Sequence, residues 1–154
     1  MIIIYTDGAS KGNPGRGGYG VVLLSPEHGL RKELAQGFRL TTNNRMELMA
    51  VIVGLETLKK PNTEVIIYSD SAYVVNSVEK GWLWGWVKKG FVGKKNEDLW
   101  RRFITIYKQH QVKLQWIKGH SNIPENERCD TLCVDAANNP NLLIDEGYEN
   151  GLGE

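Results

Sequence analysis

The spacing of apolar residues changes abruptly near residue 44, and this change limits the folds open to the chain. Upstream, three short segments carry strand-type patterns with turn-rich connections: 1–7, 17–25 and 30–40. Downstream, helical spacing alternates with short apolar runs, with helices at 44–58, 72–77, 82–87, 98–110 and 125–137 and strands at 65–68 and 112–117. The pattern predicts an α/β fold, a mixed five-stranded sheet of three antiparallel and two parallel strands flanked by helices.

The length of 154 residues suits one domain, and the C-terminal end differs from the rest in charge. All the predicted strands and helices lie within residues 1–140. Residues 141–154 hold four acidic side chains and no lysine or arginine. We therefore expect a domain over 1–140 and a loosely attached acidic tail over 141–154.

The two cysteines, Cys129 and Cys133, lie four residues apart in a predicted helix. A disulfide between consecutive turns would constrain little, so we interpret them as reduced thiols rather than a disulfide or a metal pair. No run of about 18 apolar residues is present, and residues 1–7 are typical of a strand rather than a signal peptide. These observations predict a cytoplasmic protein without a membrane partner.

Four acidic residues fall where a binding site can form. Asp7 ends the first strand and Asp70 the fourth, whereas Glu47 and Asp130 lie in the first long helix and in the last helix. If the two strands are neighbours, Asp7 and Asp70 emerge at the edge of the sheet where open α/β folds bind ligands. Gathered carboxylates repel one another, and hard divalent ions such as Mg²⁺ or Mn²⁺ relieve that repulsion. Two such ions about 3.5–4 Å apart form a clamp for phosphodiester cleavage.

Each of these residues also has a purely structural interpretation, which the sequence leaves open. Asp7 before a glycine is typical of a turn, and Asp70 between two serines is typical of a helix N-cap. Glu47, three residues after Asn44, would complete a capping box, and Asp130 would be a solvated helix charge.

His120 follows a glycine in a predicted loop, where a histidine is often only a surface residue. Beside metal-binding carboxylates, its imidazole would shuttle a proton near neutral pH. The sequence alone leaves both roles open.

The formal net charge of +1 conceals an uneven distribution. Residues 80–102 carry seven lysines and arginines against two acids, a local charge of +5, and include three tryptophans before residue 90. Residues 141–154 carry −4, and the remaining 117 residues balance at 12 bases and 12 acids. The total argues against a highly basic DNA-coating protein, whereas residues 80–102 fit either a local nucleic-acid contact or a solvated loop on core tryptophans.

Seven short segments occur in order between about residues 5 and 140. They are Tyr5-Thr6-Asp7-Gly8-Ala9, Gly12-Asn13-Pro14-Gly15, Thr41-Thr42-Asn43-Asn44-Arg45-Met46-Glu47-Leu48, Tyr68-Ser69-Asp70-Ser71, Asn96-Glu97-Asp98-Leu99-Trp100, Trp116-Ile117-Lys118-Gly119-His120 and Pro124-Glu125-Asn126-Glu127-Arg128-Cys129-Asp130. Any one of them is weakly specific. Together, in this order, they resemble the motifs of type 1 ribonucleases H.

This resemblance implies a ribonuclease H-like fold and an endoribonuclease that hydrolyses the RNA strand of RNA–DNA hybrids. It implies that Asp7, Glu47, Asp70 and Asp130 ligate two Mg²⁺ ions, with Mn²⁺ as a substitute, and that His120 assists turnover. One metal would activate the attacking water and the other would steady the departing 3′ oxygen, which leaves 5′-phosphate and 3′-hydroxyl ends. The implied partner is the hybrid duplex, and we expect a monomer.

The resemblance also implies contacts with the substrate. Asn13, Asn43 and Asn44 match positions that touch the minor groove of the hybrid, where the 2′-hydroxyls are displayed. Thr42 and Asn96 match a pocket for a phosphate of the DNA strand. Helix capping is an alternative role for residues 42–44, and both roles can coexist.

Residues 80–102 resemble the basic protrusion with which bacterial members of the family hold the DNA strand, and we call them the handle. Lys88 and Lys89 would neutralise phosphates there. Trp82 and Trp86 share a helical face and would pack on sugars, whereas Trp84 points elsewhere.

Three features depart from the family's pattern. Ala72 occupies a position where a glutamine usually touches the substrate, so we expect one fewer interaction with the minor groove. Ile123 occupies a position where some bacterial members have histidine, so that histidine cannot be essential here. The stretch between Lys89 and Asn96 is shorter than in the longest handles, which affects affinity rather than chemistry.

Three other classes of protein share parts of this pattern: a non-catalytic hybrid-binding module, another nuclease or integrase on the same fold, and an α/β domain whose acids are only caps. The presence of all four acids argues against the module. The segments at 41–44 and 119–120 argue against the other nucleases. A measurement of Mg²⁺ binding would test the last class, because an α/β domain whose acids are only caps should not bind the ion.

Overall fold

The computed structural model describes residues 1–151 and contains five strands, six α-helices and one short 3-10 helix (Pro26–His28) within them. The strands are β1 (Ile2–Lys11), β2 (Gly15–Ser25), β3 (Leu30–Thr41), β4 (Glu64–Ser69) and β5 (Gln111–Trp116). The helices are α1 (Asn43–Glu56), α2 (Ala72–Glu79), α3 (Trp82–Lys88), α4 (Glu97–Tyr107), α5 (Pro124–Ala137) and α6 (Glu146–Glu149). The predicted order of elements is confirmed as far as α5, and α6 is an addition.

The five strands form one mixed sheet in the order β3-β2-β1-β4-β5. β1 pairs with β2 and β2 with β3 in antiparallel fashion, whereas β1 with β4 and β4 with β5 are parallel pairs. The predicted mixed sheet is therefore confirmed. Its antiparallel part comes from consecutive strands, and its parallel part from strands separated by helices.

Two helices, α1 and α5, cover opposite faces of the sheet. Alternate residues of a strand point to opposite faces, so glycines on the two faces show which helix lies against each. A Cβ at Gly8 would meet the backbone of α1, whereas a Cβ at Gly20 would meet the backbone of α5. α1 is buried along most of its length, with nine of its 14 residues buried, because α2 and α4 cover the side that faces away from the sheet. This central helix therefore contributes many of the residues of the hydrophobic core.

β1 is longer than the sequence predicted, since it continues four residues beyond Asp7. Its pairing with β4 ends at Thr6 opposite Ser69, but its pairing with β2 continues to Lys11 opposite Arg16. Residues 8–11 therefore belong to a strand, and the prediction that Asp7 ends it is wrong. These four residues are Gly, Ala, Ser and Lys, which do not form an apolar strand pattern, and it is pairing with β2 that makes them a strand.

The C-terminal segment, residues 141–151, is anchored to the domain, so the prediction of a loose attachment is wrong for this part. The backbone of Leu143 accepts from Arg39 N at 2.9 Å and donates to Gly37 O at 3.0 Å. Glu149 pairs with Arg39, and Asp145, only 3% exposed, pairs with buried Arg45. The acids of this segment meet arginines of β3 and α1, which a count of charge cannot reveal. Residues 152–154 lie outside the described part.

Cys129 and Cys133 are both buried and free, so no disulfide joins them. None of the helices within residues 1–151 is both long and apolar enough to cross a membrane.

The close approach of α1 to β1 gives a test of the packing. A Cβ at Gly8 would collide with the backbone of Met46 and Glu47, which cannot move as a side-chain tip can. We expect Gly8→Ala to lower the free energy of unfolding by about 1–3 kcal/mol, measured by urea unfolding. Gly85→Ala is the matched control: nothing lies within 4 Å of its Cβ position in α3. It should raise stability by about 0.5–1 kcal/mol. Equal stability of Gly8→Ala and the unaltered protein would contradict this packing.

Candidate active site

Four elements of the fold each present one acidic side chain to the same region. Asp7 lies in β1 at the first position beyond its pairing with β4, and Asp70 directly follows β4. Glu47 lies in α1 and Asp130 in α5, on the helices that cover the two faces of the sheet. The predicted meeting of Asp7 and Asp70 at one edge of the sheet therefore occurs, and the two helices bring the other acids to it.

The side-chain oxygens of these acids are close enough to share cations. One oxygen each from Asp7, Glu47 and Asp70 lie within 4.8 Å of one another. A second group, Asp7, Asp130 and the thiol of Cys133, also lies within 4.8 Å. Asp7 belongs to both groups, so it is the centre of the arrangement.

The structural alternatives for three of these acids are wrong. Thr42 caps α1, and its hydroxyl accepts from Arg45 N at 3.3 Å, so Glu47 is not part of an N-terminal cap. Ser71, not Asp70, caps α2 and accepts from Val74 N at 3.2 Å. Asp7 lies inside β1 rather than in a turn.

Burial and mutual repulsion strongly disfavour the ionised forms of two of these carboxyls. Burial and the nearby Asp70 raise the pKa of Asp7 from an ordinary 3.8 to about 7. Burial, Asp7 and Asp70 raise the pKa of Glu47 well above its ordinary value. None of the ion pairs formed within residues 1–151 involves one of the four acids, and Oε1 of Glu47 is buried without a hydrogen-bond partner. Such a cluster of oxygen donors fits hard divalent cations.

The loop after β5 brings His120 towards the acids. A Cβ at Gly119 would lie 2.7 Å from Oδ2 of Asp70, so the backbone of this loop passes next to that carboxylate. His120, the next residue, is exposed and has a φ of 56°.

Two residues near the acids were not singled out from the sequence as functional. The indole of Trp116 donates to the backbone oxygen of Asp70 at 3.1 Å and is 47% exposed. Cys133 lies one turn after Asp130, and its Sγ donates to Asp130 O at 3.2 Å. The helical spacing of Cys133 from Asp130 was a usable signal, whereas nothing in the sequence pairs Trp116 with Asp70.

Two of the three predicted minor-groove residues, Asn13 and Asn43, are joined by a hydrogen bond, and Asn44 is their neighbour in α1. Asn13 Oδ1 accepts from Asn43 N at 3.1 Å. Asn43 Oδ1 accepts from Ser10 N at 2.6 Å and from Ser10 Oγ at 3.0 Å. Asn44 follows in the first turn of α1 and is half-buried. The end of β1, the turn after it and the start of α1 therefore present their polar groups together.

Thr42 and Asn96, the predicted phosphate pocket, both contact Arg45. Arg45 N donates to the Thr42 hydroxyl, and Arg45 Nη1 donates to Asn96 Oδ1 at 3.3 Å. Asn96 Nδ2 donates to Tyr73 OH at 3.1 Å. Thr42 and Asn96 are the N-cap residues of α1 and α4, and Arg45 joins the starts of these two helices through hydrogen bonds.

The handle presents both cations and aromatic rings. Trp82 is 49% exposed with Lys80 Nζ 5.6 Å from its ring centroid, and Lys88 and Lys89 are exposed at the end of α3. Trp86 packs edge-on against Trp100 with ring centroids 5.9 Å apart, and Lys94 lies over its ring.

Trp84 packs against Tyr107, away from the ring of Trp86 and its lysine. Trp84 and Trp86 thus pack against different rings, in agreement with the prediction that Trp84 points elsewhere, and Trp86 is half-buried rather than fully exposed. Ala72 is exposed at the start of α2, and Ile123 is half-buried just before α5.

Comparison with known proteins places this arrangement in one family. The sequence model of the RNase H family matches residues 1–138. A ribonuclease H of Desulforamulus reducens is 56% identical over 149 residues, which cover 94% of this chain and 92% of that protein. A ribonuclease HI of Synechocystis is 48% identical over 153 residues, covering 96% of this chain and 94% of that one.

Solved structures agree with the sequence relatives. LC9-RNase H1, described as a type 1 RNase H with the type 2 active-site motif, has a TM-score of 0.78 at 28% identity, covering 97% of this chain and 79% of that one. LC11-RNase H1, solved in complex with an RNA/DNA hybrid, has a TM-score of 0.67 at 28% identity, covering 90% and 97%. With the four acids brought together on a ribonuclease H fold, this chain belongs to the ribonuclease H family.

Proposed function

We propose that this protein is an endoribonuclease that hydrolyses the RNA strand of RNA–DNA hybrids and leaves 5′-phosphate and 3′-hydroxyl ends. The observation that carries the proposal is the group of half-buried carboxylates around the buried Asp7, in a chain of this family. None of the ion pairs within residues 1–151 supplies this group with a cationic partner. The relative LC11-RNase H1, solved with an RNA/DNA hybrid, supports the choice of substrate.

Asp7, Glu47, Asp70 and Asp130 are the proposed ligands of two divalent cations. All four offer hard oxygen atoms, which favour Mg²⁺, and Mn²⁺ has the same preferences and is the proposed substitute. When bound, the ions activate the attacking water and stabilise the departing 3′ oxygen. Asp7 holds the centre, because its carboxylate lies within reach of both groups of ligands.

The other proposed residues bind the duplex or move a proton. His120 exchanges a proton between the site and solvent, since its imidazole is exposed and follows the glycine packed on Asp70. Asn13, Asn43 and Asn44 contact the minor groove, where hydroxyls at the 2′ position distinguish RNA from DNA. The proposed contacts with the DNA strand come from Thr42, Asn96, Trp82, Trp86, Lys88 and Lys89.

Cleavage of a labelled hybrid tests the proposal. With Mg²⁺, the RNA strand should be cut and free single-stranded RNA should not. Asp7→Asn and Asp70→Asn should each abolish cleavage and preserve hybrid binding, because they remove a metal ligand without changing the shape of the side chain. Asp135→Asn, an exposed acid on α5, should retain full activity. Equal cleavage of single-stranded RNA would refute the substrate, and turnover by both site variants would refute the ligand assignment.

The raised pKa of Asp7 leads to a prediction about stability without metal. The folded protein binds its proton more tightly than the unfolded chain, so stability is lost as pH rises from about 4 to about 7. Above that window, Asp7→Asn should be more stable than the unaltered protein by at most about 4 kcal/mol, the value of the pKa difference. Below pH 4 the two should be equally stable.

Added Mg²⁺ should stabilise the unaltered protein and leave Asp7→Asn nearly unchanged. Thermal unfolding at several pH values measures both effects, with Asp135→Asn as the control. A site variant that is less stable than the unaltered protein at pH 8 without metal would contradict the proposed repulsion.

The handle is tested by the salt dependence of binding. The double variant Lys88→Ala/Lys89→Ala should weaken hybrid binding and reduce the slope of log affinity against log salt by about 0.9 for each phosphate that is no longer neutralised. Lys59→Ala/Lys60→Ala is the matched control. These two adjacent, exposed lysines lie near Ile2, at the end of β1 that is remote from Asp7 and the acidic site. An unchanged slope in the handle variant, or the same change in both, would refute this role.

A further inference from the structure

Arg45 is a fully buried cation that the proposed chemistry does not use. It lies in the first turn of α1, and its side chain is 0% exposed. Asp98 accepts from Arg45 Nη1 at 2.8 Å and from Nη2 at 2.7 Å. Asp145 accepts from Arg45 Nε at 2.8 Å and from Nη2 at 2.9 Å. Two carboxylates from distant parts of the chain therefore hold one guanidinium.

Asp145 is itself held in place. Its carboxylate also accepts from Thr41 Oγ1 at 2.7 Å and from Tyr148 N at 3.2 Å. Burial alone would raise the pKa of Asp145, but the bonds from Arg45 and Thr41 outweigh it and hold the pKa below its ordinary value. A buried charge is tolerated only when its partners are well placed, so the orientation of Arg45 depends on Asp145 together with Asp98.

The same arginine contacts both residues of the proposed phosphate pocket. Its backbone N–H bonds the hydroxyl of Thr42, and its Nη1 bonds Oδ1 of Asn96. The second bond fixes which end of the Asn96 amide faces Arg45, and so directs the amide's NH₂ group away from it. A rotation of the guanidinium would therefore disturb Asn96.

We propose that Asp145 is a positioning residue for the DNA strand: through Arg45 it sets the relation between Thr42 and Asn96, the pocket for one phosphate. The inference rests on the proposed function, because it needs that pocket to bind a phosphate. The C-terminal segment is then part of the substrate-binding machinery, although none of its residues has to touch the duplex.

The other attachments of this segment make the positioning role separable from simple anchoring. Leu143 pairs with the backbone at Gly37 and Arg39, and Glu149 pairs with the exposed Arg39 side chain. These contacts hold the segment to β3, and none of them is with Arg45. A variant of Glu149 therefore weakens the anchor alone, whereas a variant of Asp145 also alters Arg45.

Asp145→Asn and Glu149→Gln form a matched pair. Each removes one negative charge from the same segment, so each raises the net charge from +1 to +2 and changes the bulk attraction for nucleic acid equally. An asparagine at 145 would place an NH₂ group against the donors of Arg45. We expect Asp145→Asn to raise the KM for a hybrid by roughly tenfold with little change in kcat, and Glu149→Gln to change neither.

A modified substrate localises the effect. In a series of hybrids, one phosphate of the DNA strand at a time is replaced by a neutral methylphosphonate, and binding is measured well below the melting temperature of each variant. At one position the unaltered protein should lose roughly tenfold in affinity, and Asp145→Asn should lose much less there, because the two changes disrupt the same interaction. At the other positions the two proteins should lose equally.

Several results would overturn the inference. If Asp145→Asn binds as tightly as the unaltered protein, or if both variants only lower the melting temperature, the segment is an anchor and nothing more. Equal methylphosphonate losses at every position would also contradict a role at one phosphate. If the unaltered protein leaves the RNA strand intact, the proposed function fails. If it cleaves the RNA strand and Asp145→Asn behaves like it in KM and in methylphosphonate binding, only the inference fails, so the two failures are distinguishable.

Discussion

Repulsion between carboxylates in a nearly dry site is the constraint on which the rest of this structure depends. Asp7 is only 6% exposed, and oxygens of Glu47 and Asp70 lie within 4.8 Å of its own. On flexible loops such groups would move apart. Here the pairing of β1 with β4 holds Asp7 and Asp70 side by side, and the close approach at Gly8 fixes Glu47. The fold thus holds these carboxyls together although their ionised forms repel one another, and a bound divalent cation would relieve that repulsion.

The first turns of α1 contain one charged side chain whose partners are all present and one acidic side chain with a buried oxygen that has no hydrogen-bond partner. Arg45 is buried but fully compensated by Asp98 and Asp145. Glu47, two residues later, has a buried oxygen without a partner. The compensated charge fixes the start of the helix against α4 and the C-terminal segment, and this fixed helix holds Glu47 beside Asp7. The proposed metal site, through Glu47, and the attachment of the C-terminal segment, through Arg45, therefore depend on the same turn of α1.

The sheet, its helices and the meeting of Asp7 with Asp70 could be predicted from the sequence, because hydrophobic spacing and strand order determine them. The length of β1 could not, since β2, and not the local sequence, extends the strand past Asp7. The burial of Arg45 between two carboxylates could not be predicted either, because an arginine in a helix is usually exposed. Its partner Asp145 is a hundred residues away and looks like one more acid of a charged tail.

The most direct test of this account is the titration of the Asp7 carboxyl, followed by carbon-detected NMR with and without Mg²⁺. Without metal, we expect a pKa near 7, because burial and Asp70 disfavour the charged form. With saturating Mg²⁺, the carboxylate should stay ionised well below that pH. A pKa close to the ordinary 3.8 without metal, or a titration that Mg²⁺ does not change, would contradict the claim that this cluster is built around cations.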